Sequence, residues 1–247
     1  MTTQALVDAH KSTLDKALEA IKTREYWSPY PESPRAYGED APALGEAAFK
    51  ARLGRPFELD QHSAGMMEVA ESSPYGIDLG VTYPRPDVDR LVDVARDAMK
   101  TWSRASAETR AAVCLEILDR LSKQSFEMAY AVMHTTGQAF MMAFQAGGPH
   151  ALDRGLEALA YAYSAQTGLP ESMRWEKPQV SGPAIVIDKR WILRPRGVAV
   201  TIGVSNSPTW NGFPGVFASL ATGNPVIVKP HPETILPLAI LVRTARA

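Results

Sequence analysis

The 247-residue sequence is 45% apolar and 21% charged, with 26 basic against 27 acidic residues and a formal net charge of −1. That balance supports a sizeable globular core and excludes the concentrated basic stripe of a nucleic-acid surface. No apolar run approaches the roughly 20 residues of a membrane span, and a single cysteine excludes an internal disulfide or a Cys-rich metal site.

The first stretch, MTTQALVDAHKSTLDKALEAIK, is charged and amphipathic and lacks a secretory apolar core, which sets a cytoplasmic expectation. Leu6, Leu14, Leu18 and Ile21 form a broken stripe that predicts a helix over 3–24. From EYWSPYPESPRAYGED to about residue 86, Pro, Gly, Ser and acidic residues are frequent. This segment reads as an irregular extension with little regular structure, anchored on the core by its tyrosines and Trp27. The organisation expected is therefore an extension over 1–86 and a main unit over 87–247.

Helical spacing returns at residue 87, where Leu91, Val94, Ala95, Ala98, Met99 and Trp102 share a face and Asp87 is a candidate N-cap. A second helix starts at Ala107 behind Ser106. Cys114 lies inside it among Val113, Ile117, Leu118 and Leu121, a place for a small core residue rather than a nucleophile. A third helix covers SFEMAYAVMHTT and stops at Gly137, and a fourth runs through PHALDRGLEALAYAYSAQTG.

The period then changes. PAIVIDKRWILRPRG reads as a hairpin over 183–196 with its turn at DKR. GVAVTIGV is a short apolar run of the kind covered on both faces of a sheet. After it, SNSPTWNGFPG (205–215) reads as a loop, FPGVFASLAT as a helix stopped by Gly223 and Pro225, and VIV as a second buried strand ending at Lys229. Thr234 is the candidate cap of a last helix with Pro237 in its first turn. Strand, helix, strand in this order predicts a parallel pair with a right-handed crossover, and ligands bind beyond the carboxyl ends of such strands. The two loops that leave those ends, 205–215 and KPHPET, therefore belong to one site.

Within it, Lys229 reads either as a contact to a nucleotide ribose or phosphate, or as a lysine snorkelling from a strand end. Asn211 reads either as an amide donor for an oxyanion or as a turn residue, and Trp210 as a packed ring or a ligand platform. No G-x-G-x-x-G or Walker phosphate loop is present, and the five histidines show no metal-ligand spacing, so no metal site is expected.

These residues resemble the aldehyde dehydrogenase superfamily. SPTWNGFPG is similar to its P-W-N-F-P signature, ATGNPVIVKP to its G-N, apolar strand, K-P segment, and RPRGVAVTIG, HTTGQ and the helices from Asp87 to Leu121 follow in the family's order. The PTWNGFPG…FASLATGNPVIVKPHPETILPLAI version is similar to the phenylacetic acid degradation branch. The resemblance implies an α/β fold with a Rossmann-type parallel sheet and covering helices, incomplete in this chain, and an oligomerisation hairpin at 183–196.

It implies Asn211 as the oxyanion donor, with Asn206 as runner-up because Thr209 and Gly212 are insertions in the signature. Trp210, Lys229, His231 and Glu233 are the implied cofactor contacts. Pro232 replaces the family's ribose-binding Glu, which with Lys229 and His231 favours NADP over NAD. The family's catalytic Cys and Glu belong to a later segment. The chain is thus expected to be the N-terminal part of an aldehyde-oxidising homo-oligomer, inactive alone, acting on a ring-cleavage semialdehyde, free or CoA-linked. The alternative is a non-catalytic nucleotide-binding or assembly subunit.

Overall fold

Apolar spacing and caps explain most of the helices in this computed structural model, which describes residues 2–247. Helix α1 (Thr3–Thr23) buries Leu14 and Ala17, takes a cap from Thr2, and ends at Arg24 in a left-handed conformation (φ 65°). Helix α3 (Val88–Trp102) is capped by Asp87, whose side chain accepts from the Arg90 amide, and α4 (Ala107–Ser122) by Ser106, which accepts from the Thr109 amide. Helix α5 (Ser125–Thr136) closes at Gly137 with φ 79°, and α7 (Pro149–Thr167) begins at proline, whose missing N–H costs nothing there. Helix α6 (Phe140–Gly147), between the last two, was not expected. Its FMMAF run carries too little polar contrast to separate it from a loop. On α3 the expected apolar face is only half used: Ala95 is buried but Val94 is exposed.

The segment from Glu25 to Pro86 is more regular than its composition predicts. A 3-10 turn covers Pro34–Tyr37, helix α2 spans Ala41–Lys50, and strands β1 (Ser63–Met67) and β2 (Tyr83–Pro86) pair antiparallel. Proline sits within the first two positions of α2, where it is tolerated, so it marks a helix start rather than irregular chain. Tyr30, Phe49, Phe57, Leu79, Val81 and Tyr83 join the same core as Leu115, Leu118, Phe217 and Leu236. Tyr30 and Trp27 do anchor the segment, whereas Tyr26 is exposed.

The hairpin is shifted from its predicted place. Strand β3 (Ser172–Lys177) pairs antiparallel with β4 (Ile185–Arg190), so DKR lies inside β4 and the turn falls on residues 178–184. PQVSGPA supplies Pro and Gly there, with Gly182 at φ 88°, a better reversal than three charged residues. Every residue of both strands is exposed, and residues 191–196 are not a strand.

Strands β5 (Ala199–Ile202) and β6 (Val226–Lys229) form the predicted parallel pair, in register from Ala199 opposite Val226 to Ile202 opposite Lys229. Helix α8 (Pro208–Ala221) makes the crossover, packing on α7 on one side and touching β5 and β6 on the other. On the opposite face of β5, Val200 and Ile202 are 60% and 70% exposed within these 247 residues. Helix α9 (Leu236–Arg246) completes the order.

Candidate functional site

The site lies at the carboxyl ends of β5 and β6, and α8 supplies its first wall. The stretch read as a loop is helical from Pro208, because Pro208 at the first turn has its φ preset for a helix. Pro214 consequently falls inside the helix, where it has no N–H to give the Trp210 carbonyl. Asn211 therefore occupies the first turn of α8, exposed, rather than a turn in a loop. Its Nδ2 donates to the Ser207 carbonyl oxygen at 3.1 Å, which leaves the amide's second N–H for a ligand. Asn206 is exposed, and its carbonyl oxygen accepts from Gln138 Nε2. Trp210 is 39% exposed and meets His150 of α7 edge-on, with centroids 6.1 Å apart. His150 is held in turn by Glu32, 3.1 Å away.

The far end of α8 is fixed by side chains from three helices. The Leu220 carbonyl oxygen accepts from Trp102 Nε1 at 2.9 Å, and that of Ala221 accepts from Arg110 Nε at 2.9 Å and Gln166 Nε2 at 3.1 Å. Two of the carbonyls that a helix end leaves unpaired are thereby satisfied, which fixes the axis that carries Asn211. Asn224 performs the same service for β5: its Oδ1 accepts from the Arg196 and Gly197 amides at 2.7 and 3.1 Å.

The second wall begins at Lys229, exposed at the end of β6. Among the described residues no carboxylate pairs with its ammonium. His231 is partly buried, and its Nδ1 stands 3.3 Å from the Glu233 amide and 3.9 Å from that residue's carboxylate. Glu233 and Pro232 are exposed. The two walls are drawn together at Gly203, whose amide donates to the Lys229 carbonyl at 2.8 Å. A β-carbon there would stand 2.8 Å from Leu238 Cδ1 and 3.1 Å from Pro230 Cα, so any larger residue would push Leu238 aside and part the two exits slightly. Thr234 does not cap α9: its hydroxyl donates to the Val204 carbonyl at 3.1 Å, tying the exit of β6 to the exit of β5. The cap comes from Glu71, far away in sequence, which accepts from the Ile235 and Leu236 amides.

The structure thus gathers Asn206, Trp210 and Asn211 at one strand exit and Lys229, His231 and Glu233 at its neighbour. It adds Glu71, Gln138 and His150, which no local pattern announced. Two buried polar atoms in this region, Gln138 Oε1 and Thr209 Oγ1, lack a protein partner. Cys114 is wholly buried in α4, and burial pushes its thiol up to about 12, far from nucleophile chemistry. Among the described residues no group of His, Cys, Asp and Glu has the form of a metal site. No described helix is long and apolar enough to cross a membrane.

A parallel pair with a crossover helix, an amide at one exit and an unpaired lysine at the other has the form in which open α/β sheets hold ligands. The aldehyde dehydrogenase family pattern matches residues 81–247, and the chain belongs to that family. A solved structure of an NAD-dependent aldehyde dehydrogenase from Burkholderia multivorans is 55% identical and superposes over 98% of the chain with a TM-score of 0.94. The mitochondrial aldehyde dehydrogenase of Leishmania tarentolae is 30% identical over 152 residues, covering 62% of the chain. The 2-hydroxymuconic semialdehyde dehydrogenase of Pseudomonas sp. strain CF600 is 31% identical over 169 residues, covering 66%. The chain matches only 28% and 32% of the lengths of these two relatives and 44% of the Burkholderia chain.

Proposed function

We propose that residues 1–247 form the first part of a nicotinamide-dependent aldehyde dehydrogenase, with 1–86 as an extension and 87–247 as the start of the cofactor domain. The carrying observation is the register of Ile202 opposite Lys229, which sets the Asn206–Asn211 exit beside an unpaired lysine. A bound nicotinamide nucleotide would supply the hydride acceptor. Lys229 would hold its adenosine ribose, with His231 and Glu233 beside it and Trp210 near the ring. Asn211 would donate its free N–H to the oxyanion formed from the aldehyde. Fixed donors of this kind contribute about 3–4 kcal/mol to the transition state in a dry site.

NADP is the preferred cofactor in this reading, because Pro232 offers no carboxylate to repel a 2′-phosphate while Lys229 and His231 attract one. Tighter binding of NAD than of NADP by the full-length protein would overturn that preference. The substrate class is a semialdehyde of aromatic ring cleavage, free or CoA-linked, on the similarity of PTWNGFPG…VIVKPHPET to the phenylacetic acid degradation protein PaaN. The exposed β3–β4 hairpin, which presents Met173, Trp175, Ile185 and Ile187, supports a homo-oligomer built through it.

The nucleophile and the general base are assigned outside these 247 residues, since Cys114 is sealed in the core. The test is aldehyde-dependent reduction of NADP by the full-length protein. Asn211→Ala is expected to lower kcat about 100- to 1,000-fold, and Asn206→Ala only a few-fold. The reverse ranking would move the oxyanion role to Asn206, and turnover by the isolated 1–247 polypeptide would refute the assignment of the nucleophile.

A further inference from the structure

Helix α9 starts without a local acceptor for its first amides. Its N-cap residue is Ile235, which has no polar side chain, and the Thr234 hydroxyl is spent on the Val204 carbonyl. Unsatisfied amides at a helix start need a partner from elsewhere. Glu71 supplies it. Its Oε1 accepts from the Leu236 amide at 2.8 Å and also from the Ile235 amide, while its Oε2 accepts from the Tyr83 hydroxyl at 2.5 Å. A carboxylate is well placed there, because the helix dipole adds to the two N–H bonds. Burial pushes the Glu71 carboxyl above its ordinary range, opposed by Tyr83 and the two amides.

Glu71 lies ten residues ahead of the segment that matches the family pattern, so the extension performs a task inside the cofactor domain. The segment from Pro230 to Ile235 carries His231 and Glu233. It is held at its start by the Gly203–Lys229 bond, in the middle by Thr234, and at its end by Glu71. We propose that Glu71 is a positioning residue for the nucleotide-binding segment Lys229–Glu233, fixing its far end through the first turn of α9. The same stretch of the extension reaches the other strand exit. The Tyr75 hydroxyl donates to the Gly137 and Gln138 carbonyls at 3.1 and 2.9 Å, and Gln138 donates to Asn206. Residues 71–75 therefore brace both walls.

This proposal rests on the cofactor reading above, and its test separates the two. Titration of ADP-ribose and NADP into the full-length protein is compared for wild type, Glu71→Ala, Glu71→Gln, Tyr83→Phe and Leu14→Ala. Hydrogen exchange of residues 230–240 is measured alongside. Glu71→Ala is expected to speed that exchange and to weaken both ligands about tenfold, the equivalent of one side-chain cap. Glu71→Gln, which keeps an oxygen acceptor for both amides, stays within about threefold, and Tyr83→Phe falls between the two. Leu14→Ala, a core truncation remote from the site, lowers Tm without changing either affinity, which a general loss of stability would not reproduce. If Glu71→Ala fails to fold, the ranking of Glu71→Gln and Tyr83→Phe decides. Unchanged affinity despite faster exchange, or equal weakening by Leu14→Ala, overturns the positioning role. Failure of the wild type to bind either ligand overturns the cofactor reading itself, and this proposal with it.

Discussion

Substituting Gly45 by alanine tests whether the extension is an integral part of the fold. Gly45 lies in the middle of α2 where that helix crosses α5. A β-carbon there would stand 2.2 Å from Phe126 Cβ, 2.8 Å from the Glu127 amide nitrogen and 2.9 Å from the Phe126 carbonyl carbon. Ordinary carbon contacts are about 3.5–4.0 Å, so the helices have to part by roughly 1 Å. The obstacles are backbone and Cβ atoms, which no rotamer change removes. Parting them loosens the aromatic cluster in which Phe126 and Phe144 have centroids 4.8 Å apart and Tyr37 meets both edge-on. Overpacking costs about 1–3 kcal/mol, and this site belongs at the upper end. Alanine returns about 1 kcal/mol through its better helix propensity, leaving a net loss of about 2 kcal/mol. For a chain of this size that corresponds to a fall in Tm of about 4–8 °C. Thermal unfolding by circular dichroism measures it. A Gly45→Ala protein with a Tm at or above wild type would refute the close packing of α2 on α5.

Three further predictions concern single side chains. Burial pushes the Asp153 carboxyl from its ordinary 3.8 up to about 6, against the Ser28 hydroxyl and the nearby His150. The folded state therefore holds that proton more tightly than the unfolded chain, and stability falls as pH rises from about 4 to about 6. Asp153→Asn is expected to flatten that slope and to add about 1 kcal/mol near neutral pH, after allowance for solvent screening; urea titrations at several pH values measure both. Asn224→Ala removes the acceptor of the exposed Arg196 and half-buried Gly197 amides and should cost about 1 kcal/mol in chemical unfolding, with a neutral result contradicting the anchor. Cys114 should resist thiol reagents in the native protein and react fully on denaturation, and rapid native labelling would show that the core around α4 is open.

The parallel pair, its crossover helix and the helices from Asp87 to Thr167 other than α6 were legible because each carries its own local signals. Asp87, Ser106, Gly137 and Gly223 are caps and stops that act within one turn of the residues they serve. The candidate site was legible for a related reason: Lys229 and Asn211 are placed by strand ends, and strand ends follow from two short apolar runs. Three features were misread where a local signal had two meanings. Pro208 starts a helix as readily as it marks a loop, and Pro42 does the same for α2. DKR resembled a turn only because the true turn, PQVSGPA, lay outside the apolar run. Other features were invisible because they depend on contacts far apart in sequence. Glu71 serves amides at residues 235 and 236, Arg110 serves a carbonyl at 221, and Glu32 braces His150. Nothing in VAESSPYG distinguishes Glu71 from its acidic neighbours until the chain is folded.

If the paired exits of β5 and β6 hold a nicotinamide nucleotide through Lys229, loss of that ammonium must weaken binding. Titrating NADP into the full-length protein, wild type against Lys229→Ala, tests it directly. The wild type is expected to show saturable one-site binding, and the variant to bind about tenfold or more weakly, through loss of one charge-assisted contact. Equal affinity in the two proteins would contradict it.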